Sequence, residues 1–332
     1  MSETASVCVI IAAKNASSTI GLAIQSALQE SAVSEVVVVD DGSSDDTAGT
    51  ADRSDDGSGR LRVVRLDVNV GPAAARNHAI SVSTAPLLAI LDADDFFFPG
   101  RFAPMLNEPG WDFIADNIAF TRSATDVRAP QLFETRASTI TTTAFLEGNI
   151  SKPGAPRAEI GFLKPVMRRS FLDAHGIRYN EALRLGEDYD LYLRALIRGA
   201  RYKVIEHCGY GAVVRADSLS GQHRTEDLRR LAEADRAILS AEVLPADVKA
   251  LLQRHERHIR DRYELRAFLD IKKQHGPAAA LAHIARHPVA LPAVAGGIFR
   301  DKLQSRRGHE ATDAAPSVGL RYLLEGVPVS QR

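Results

Sequence analysis

In the first hundred residues short apolar runs alternate with stretches of helical periodicity, and that alternation leaves the chain very few folds. Val7-Cys-Val-Ile-Ile11, Val36–Val39, Leu61–Leu66 and Leu87–Leu91 are each four to six residues long. Runs this short and this uniformly apolar read as strands covered on both faces. Between the first two, Ile20, Ala23, Ile24, Ala27 and Leu28 recur at helical spacing. Asp40 to Thr47 supplies a cap and early acids for a short second helix ending near Asp52. Gly71-Pro72 opens a third helix through Ser83, with proline in its first turn. Strand and helix in strict alternation imply a mostly parallel sheet with helices on both faces, so the fold class is α/β.

Further along, Phe96-Phe-Phe-Pro-Gly100 reads as a turn into a short helix, and Trp111 to Phe120 as one or two strands. Thr141 to Glu147 is helical, Gly161 to Met167 a strand, and Arg169 to His175 a short helix. Leu185-Gly-Glu-Asp-Tyr-Asp190 leads into a helix ending near Gly199, and Tyr202–Ile205 and Gly209–Arg215 form a closing pair of strands. Beyond Gly221 the chain turns into charged helices rich in Ala, Leu and Arg. We therefore expect one domain over residues 1–220 and a helical extension over 221–332, its polar tail from about Gln304 partly disordered.

A formal net charge of −1 gives no bulk attraction to nucleic acid or anionic lipid, so no nucleic-acid partner is expected. Cys8 and Cys208 sit in apolar runs and read as small buried residues. The start, Met1-Ser-Glu-Thr, lacks the basic and apolar character of a signal peptide. The run Pro288 to Phe299 is too short for a membrane span and is interrupted by Pro292 and a glycine pair. A cytoplasmic protein is expected, with peripheral contact at the inner face of the plasma membrane left open. Arg254, Arg257, Arg260 and Arg262 are the basic cluster for such contact. Glu256, Asp261 and Glu264 among them favour an ordinary solvated face.

The chemistry concentrates where strands must end. Leu87-Leu-Ala-Ile-Leu-Asp-Ala-Asp-Asp95 runs from a buried strand into three carboxylates, Asp92, Asp94 and Asp95. Ligands bind outside the carboxyl ends of strands in open α/β sheets. Clustered acids there repel unless a cation neutralises them, and hard oxygen ligands suit Mg²⁺ or Mn²⁺ shared with substrate phosphates. The competing reading is an acidic turn with Asp95 capping the next helix. Ala12-Ala-Lys-Asn15, Asp40-Asp-Gly-Ser43 and Asn69 through Arg76 fall on the same predicted edge. Several polar loops on one edge make a candidate site, with Arg76 near enough to meet a phosphate.

These stretches resemble, in order, the signatures of family 2 glycosyltransferases with the GT-A fold. The matching segments are Val7 to Asn15, Val36-Val-Val-Val-Asp-Asp-Gly-Ser-Ser-Asp-Asp-Thr47, Gly71-Pro-Ala-Ala-Ala-Arg-Asn77, Leu91-Asp-Ala-Asp-Asp95 and Gly186-Glu-Asp-Tyr-Asp190. The resemblance spans roughly residues 5–215. It implies transfer of a sugar from a nucleoside diphosphate donor with inversion at the anomeric carbon. On that likeness Asp40 and Asp41 face nucleobase and ribose, Ala12, Lys14 and Asn15 line the base pocket, and Asn69 and Arg76 contact uracil or diphosphate. Asp92 and Asp94 form the Asp-x-Asp pair, with Asp94 the metal ligand and Asp92 also near the ribose. Asp188 resembles the catalytic base, with Glu187 beside it. His223 is a metal or phosphate candidate, balanced by a plain surface histidine, and His207 a weaker one.

Two departures refine this likeness. An aromatic residue that stacks on the base in relatives is replaced by Lys14. The Gln-x-x-Arg-Trp motif of processive synthases is absent, which argues for one sugar per encounter. Ala12-Ala-Lys together with Leu91-Asp-Ala-Asp-Asp-Phe-Phe97 resembles the exopolysaccharide branch, of the succinoglycan-assembly type. That branch implies UDP-glucose as the favoured UDP-sugar donor and a lipid-linked oligosaccharide as acceptor. Acceptor recognition is expected in the variable loops Arg122–Arg136 and Lys152–Arg157. Three other readings stay open. They are a nucleotidyltransferase, disfavoured by the lack of glycine near Lys14; a phospho-receiver-like module; and a nucleotide-sugar-binding protein without turnover.

Overall fold

A computed structural model describes residues 6–122, 136–150, 159–214, 224–297 and 320–324. The chain divides into two compact units, Met1–Ser218 with Leu320–Arg332, and Leu219–Gly319. The first unit begins β1 (Val7–Ala13), α1 (Ile20–Leu28), β2 (Val33–Asp41), α2 (Thr47–Arg53), β3 (Leu61–Leu66), α3 (Pro72–Val82) and β4 (Leu87–Ile90). It continues β5 (Phe96–Phe97), α4 (Phe102–Asn107), β6 (Phe113–Thr121), β7 (Ala137–Ile140) and α5 (Thr142–Gly148). The remaining elements are β8 (Val166–Arg168), α6 (Arg169–Ala174), α7 (Glu187–Ile197) and β9 (Tyr202–Val213).

The sheet runs β3-β2-β1-β4-β8-β6-β9-β5. Its first four strands are parallel, and β8 enters antiparallel between β4 and β6. β1 lies between β2 and β4, so the chain moves outward from β1 on one side and returns on the other. The crevice at that reversal is the topological switch point, where α/β sheets bind ligands. The loops after β1 and β4 flank it.

The sequence pattern explains the central strands. Val7 to Ile11 are fully buried, as are Leu88, Ala89 and Ile90, because helices cover both faces of the sheet there. Edge strand β3 has no buried residue: Arg62 and Arg65 are exposed and the others half-buried. Helix α1 buries Ile20, Ala23, Ile24, Ala27 and Leu28, the residues its periodicity marks. Burial also pushes the Cys8 and Cys208 thiols up to about 12, as befits inert core residues.

Several expectations are corrected. The closing pair of strands is one strand, β9, which runs parallel to β6 across register shifts around Asn117. Phe96 and Phe97 pair with β9 as a short strand before α4 begins at Phe102. The strand over Gly161–Met167 is instead a 3₁₀ turn at Ile160–Phe162 and the shorter β8. Pro165, lacking an amide hydrogen, cannot extend that ladder. Nor does the helical extension run to the chain end: β10 (Arg321–Tyr322) pairs antiparallel with β6, and Tyr322 is buried beside Phe96, Phe98 and Cys208.

The second unit contains α8 (Thr225–Ala241) and α9 (Ala246–Arg286), which bends at Gly276 (φ 86°) just before Pro277. Leu228, Leu231, Ile238, Leu252 and Ile259 are buried in it, together with a His255–Asp235 pair at 2.7 Å. Glu256 is not on a solvated face: it is buried and paired with Arg236 at 2.7 Å.

Candidate active site

Two sets of loops meet at the carboxyl edge of the parallel strands. The first joins the ends of β1, β2 and β3 through neutral and charge-assisted bonds to backbone. Lys14 Nζ donates to the carbonyls of Asp41 and Gly42 at 3.3 and 3.1 Å. Asn15, in a left-handed conformation (φ 49°), accepts at Oδ1 from the Ser44 amide at 2.9 Å. Asp40 accepts from the Ser43 amide at 3.1 Å, closing the turn after β2. Both Asp41 oxygens are taken by the loop after β3, from Val70 N at 2.6 Å and Gly71 N at 2.9 Å. Asn69 Oδ1 accepts from the same Gly71 amide at 3.0 Å. Gly42 permits this lacing, since a Cβ there would lie 2.8 Å from the backbone of Val68. Ala12 is half-buried at the end of β1.

The second set is built from charges. Arg76 projects from α3, Asp92 follows β4, Lys164 precedes β8, and Glu187 and Asp188 open α7. Gly186 turns into that helix with φ 76°, a conformation that disfavours side chains. Asn77 fastens the preceding loop to α3, exchanging two 2.9 Å bonds with the Tyr179 backbone. Arg76 Nη2 lies 2.8 Å from Asp92 Oδ1, and its Nη1 lies 2.6 Å from Glu187 Oε1 and 3.3 Å from Asp188 Oδ1. Lys164 Nζ lies 2.7 Å from Asp188 Oδ2 and 3.0 Å from Asp92 Oδ2. Asp92, Arg76, Asp188 and Lys164 thus form a closed ring in which each cation touches both aspartates. Counting Glu187, two cations face three carboxylates.

Burial raises the cost of each charge and its partners repay it. Burial alone would lift the Asp92 carboxyl, but Lys164 and Arg76 outweigh it and hold it at about 2. Burial would likewise lower Lys164 and Arg76, yet the surrounding carboxylates push both upward. Glu187 is raised by burial, with Arg76 opposing and Asp188 adding to the rise. Asp95 is no helix cap: α4 starts at Phe102, and Asp95 is buried, accepting from Tyr210 OH and Val213 N at 2.8 Å each. Burial and the charges of Asp92 and Asp94 raise its carboxyl well above the usual range.

The expected site residues therefore fall into two groups. Arg76, Asp92, Glu187 and Asp188 come together, whereas Lys14, Asn15, Asp40, Asp41 and Asn69 serve the neighbouring loop web. Asp94 is half-buried beside the ring at the strand tip. His207 lies on β9, its Nε2 buried without a hydrogen-bond partner among the described residues, and burial lowers its basicity. His223, residues 123–135 and residues 151–158 lie outside the described residues.

Among the described residues no three acidic, histidine or cysteine side chains converge as a ready metal cage. Asp92 has both oxygens engaged by Arg76 and Lys164, and Asp94 stands two residues on, half-buried at the same strand tip. That donor set fits a hard cation of the Mg²⁺ or Mn²⁺ kind held by one carboxylate and by substrate phosphates.

Sequence reasoning missed Lys164 and Tyr210. The signal for Lys164 was a lone charge inside the apolar run Gly161–Met167. Tyr210, whose hydroxyl accepts from the Asp92 amide at 3.2 Å and donates to Asp95, carried no such mark.

A parallel α/β sheet with acids at the strand tips of its switch point marks a ligand-binding edge, and comparison with known proteins gives the fold its class. The family described as "Glycosyl transferase family 2" matches residues 8–171. The succinoglycan biosynthesis protein ExoU of Rhizobium meliloti (strain 1021) is 59% identical over 98% of this chain and 97% of its own length. The Escherichia coli UDP-Glc:alpha-D-GlcNAc-diphosphoundecaprenol beta-1,3-glucosyltransferase WfaP is 34% identical over 30% of this chain and 40% of its own. Among solved structures, S. aureus TarS 1-349 in complex with UDP-GlcNAc superposes with TM-score 0.59 at 18% identity, covering 85% of this chain and 92% of that one. Mannosyltransferase PcManGT from Pyrobaculum calidifontis, in complex with GDP-Man and Mn²⁺, gives TM-score 0.52 at 18% identity over 90% and 80%. The fold is GT-A, and the chain belongs to glycosyltransferase family 2. It is a glycosyltransferase, which sets aside the nucleotidyltransferase and receiver-module readings.

Proposed function

We propose that this glycosyltransferase moves a hexose, glucose by preference, from a UDP-sugar to a saccharide acceptor with inversion, in a single displacement. The acceptor is a lipid-linked oligosaccharide of succinoglycan-type exopolysaccharide assembly, met at the inner face of the plasma membrane. ExoU, a succinoglycan biosynthesis protein, supports the pathway, and WfaP, a UDP-Glc-dependent glucosyltransferase, supports the sugar. No helix among the described residues is long and apolar enough to cross a membrane, in keeping with peripheral contact.

The observation that carries the reading is the charge ring at the switch point. It joins Asp92, at the donor-side strand tip, to Asp188, at the start of α7, through shared cations. Asp188 takes the proton of the attacking acceptor hydroxyl as its oxygen bonds to the anomeric carbon. The bond from that carbon to the diphosphate oxygen breaks, and UDP leaves with the electron pair. Arg76 stands ready to meet the growing negative charge. Asp94 would hold the Mg²⁺ or Mn²⁺, which supplies charge stabilisation to the departing diphosphate. Lys14, Asn15, Asp40, Asp41 and Asn69 shape the nucleoside pocket.

The test is UDP release from a panel of UDP-sugars with Mg²⁺ or Mn²⁺ and water as the acceptor. UDP-glucose is expected to stand out, and release to vanish with EDTA and in Asp94→Ala. Asp188→Asn is expected to retain UDP binding while losing about 10²- to 10⁴-fold in rate. If no nucleotide sugar binds in a calorimeter, the assignment fails. If one binds tightly and is never cleaved, a sugar-nucleotide-binding protein without turnover replaces it.

A further inference from the structure

Lys164 stands in a position that the family motifs do not mark, and it is the better placed of the two cations to govern the base. Its ammonium lies 2.7 Å from Asp188 Oδ2, whereas Arg76 reaches Oδ1 only at 3.3 Å. The first contact is a short charge-assisted bond and the second a loose one. The two Asp188 oxygens are therefore inequivalent: Oδ2 is held tightly by Lys164 and Oδ1 more loosely by Arg76.

The lysine is itself rigidly placed. It is buried, and its carbonyl accepts from Arg101 Nη2 at 2.5 Å. Arg101 is fully buried, paired to Asp116 at 2.9 Å, and lies 4.6 Å from the Phe97 ring centroid and 5.2 Å from that of Tyr210. Asp116 also accepts from the Gly209 amide at 2.6 Å, tying the arrangement to β9. No room exists at Gly209 for a side chain, since a Cβ would meet Arg101 at 2.3 Å. A second buried ion pair thus holds the backbone from which Lys164 reaches the ring.

We propose that Lys164 is the positioning residue of the reaction: it grips Asp188 Oδ2, fixing the carboxylate so that Oδ1 faces the acceptor hydroxyl. Its second contact, 3.0 Å to Asp92 Oδ2, sets the base in register with the donor side of the crevice. A general base must sit within hydrogen-bond reach of the proton it removes, and small misplacements are expensive in rate. A flexible carboxylate at the first turn of a helix has rotamers that point elsewhere, and a single buried ammonium removes them. The inference rests on Asp188 being the base.

The decisive experiment is a double-mutant cycle of Lys164→Met and Asp188→Asn. It follows UDP release from UDP-glucose with water as acceptor and, separately, calorimetric UDP affinity. Lys164→Met is expected to lower kcat roughly 10- to 100-fold while KM and UDP affinity stay near wild type. In the Asp188→Asn background the same change is expected to cost nothing further, because a residue acting through Asp188 has nothing left to position. Lys164→Arg, which keeps the charge, is expected to recover part of the lost rate. Multiplicative losses in the double variant would overturn the proposal, as would a fall in UDP affinity that matches the fall in kcat. If Lys164→Met does not fold, Lys164→Gln, which keeps a donor N–H, carries the same cycle with the same criteria. Wild-type protein that binds no nucleotide would instead refute the transferase reading, an outcome visible before any variant is made.

Discussion

The two halves of the crevice are held together by different physics. On the β1–β3 side, Asp40, Asp41, Asn69, Lys14 and Asn15 bond mainly to backbone, so each side chain satisfies a local amide or carbonyl. On the α7 side, Arg76, Lys164, Asp92, Glu187 and Asp188 bond to one another as ion pairs. A web of backbone bonds loses one contact when one side chain changes. A buried ring of charges loses a counter-charge, and the orphaned charge costs more than the bond that held it. The web of backbone bonds should therefore tolerate change in small steps, and the ring of charges should fail abruptly.

The contrast is tested most severely by Arg76→Met. It strips the cation that, among the described residues, touches Asp92, Glu187 and Asp188 together, so about 3–5 kcal/mol of stability should be lost. Urea unfolding measures that loss, and a cost below about 1 kcal/mol would mean that the ring is solvated and the contrast empty.

A smaller effect is expected on the other side from Asp41→Asn. One amide-accepting oxygen remains while the new NH₂ group faces a backbone N–H, which should cost about 1–3 kcal/mol. UDP affinity should fall with it as the loop after β3 loosens, and calorimetry at matched temperature reads both. A loss as large as that of Arg76→Met would erase the distinction between web and ring.

Smallest, and dependent on pH, is Asp95→Asn. The folded-state carboxyl of Asp95 is raised by burial and by Asp92 and Asp94. A carboxyl raised on folding favours the native state when protonated and penalises it as pH rises through its ordinary range. Removing its charge should therefore raise the melting temperature at pH 7, and the gain should fade as the pH falls toward 4. Asp92 has the opposite sign: held at about 2, it stabilises the fold above its ordinary value and yields only in strong acid. An Asp95→Asn gain that grew on acidification would reverse this assignment.

The sheet and its edge were legible because their signals are local. Periodicity marks the inward face of α1, uniform apolarity marks β1, β2 and β4, and Gly71-Pro72 marks the start of α3. Once those strands are parallel, their trailing loops share an edge, and Asp92, Asp94 and Arg76 are neighbours by topology alone. The misreadings have a common cause. Tyr202 to Val213 looked broken over Glu206–Cys208, yet partners on β6 keep it one strand, with the irregularity absorbed around Asn117. Pairing across β10 and β6 joins residues some 200 positions apart, which no local pattern encodes.

By itself the sequence determined that this protein is α/β, that its acids stand at strand tips, and that its motifs follow the order of the family to which it belongs. Short-range periodicity and turn chemistry suffice for that, since each depends on residues within one helix turn or one strand. Tertiary structure alone decided which charges answer one another. Arg76 meets Glu187 across 111 positions, and Lys164 rather than any motif residue completes the ring. A buried charge takes whichever counter-charge the packing brings within about 3 Å, and that choice is made in space after the chain has folded.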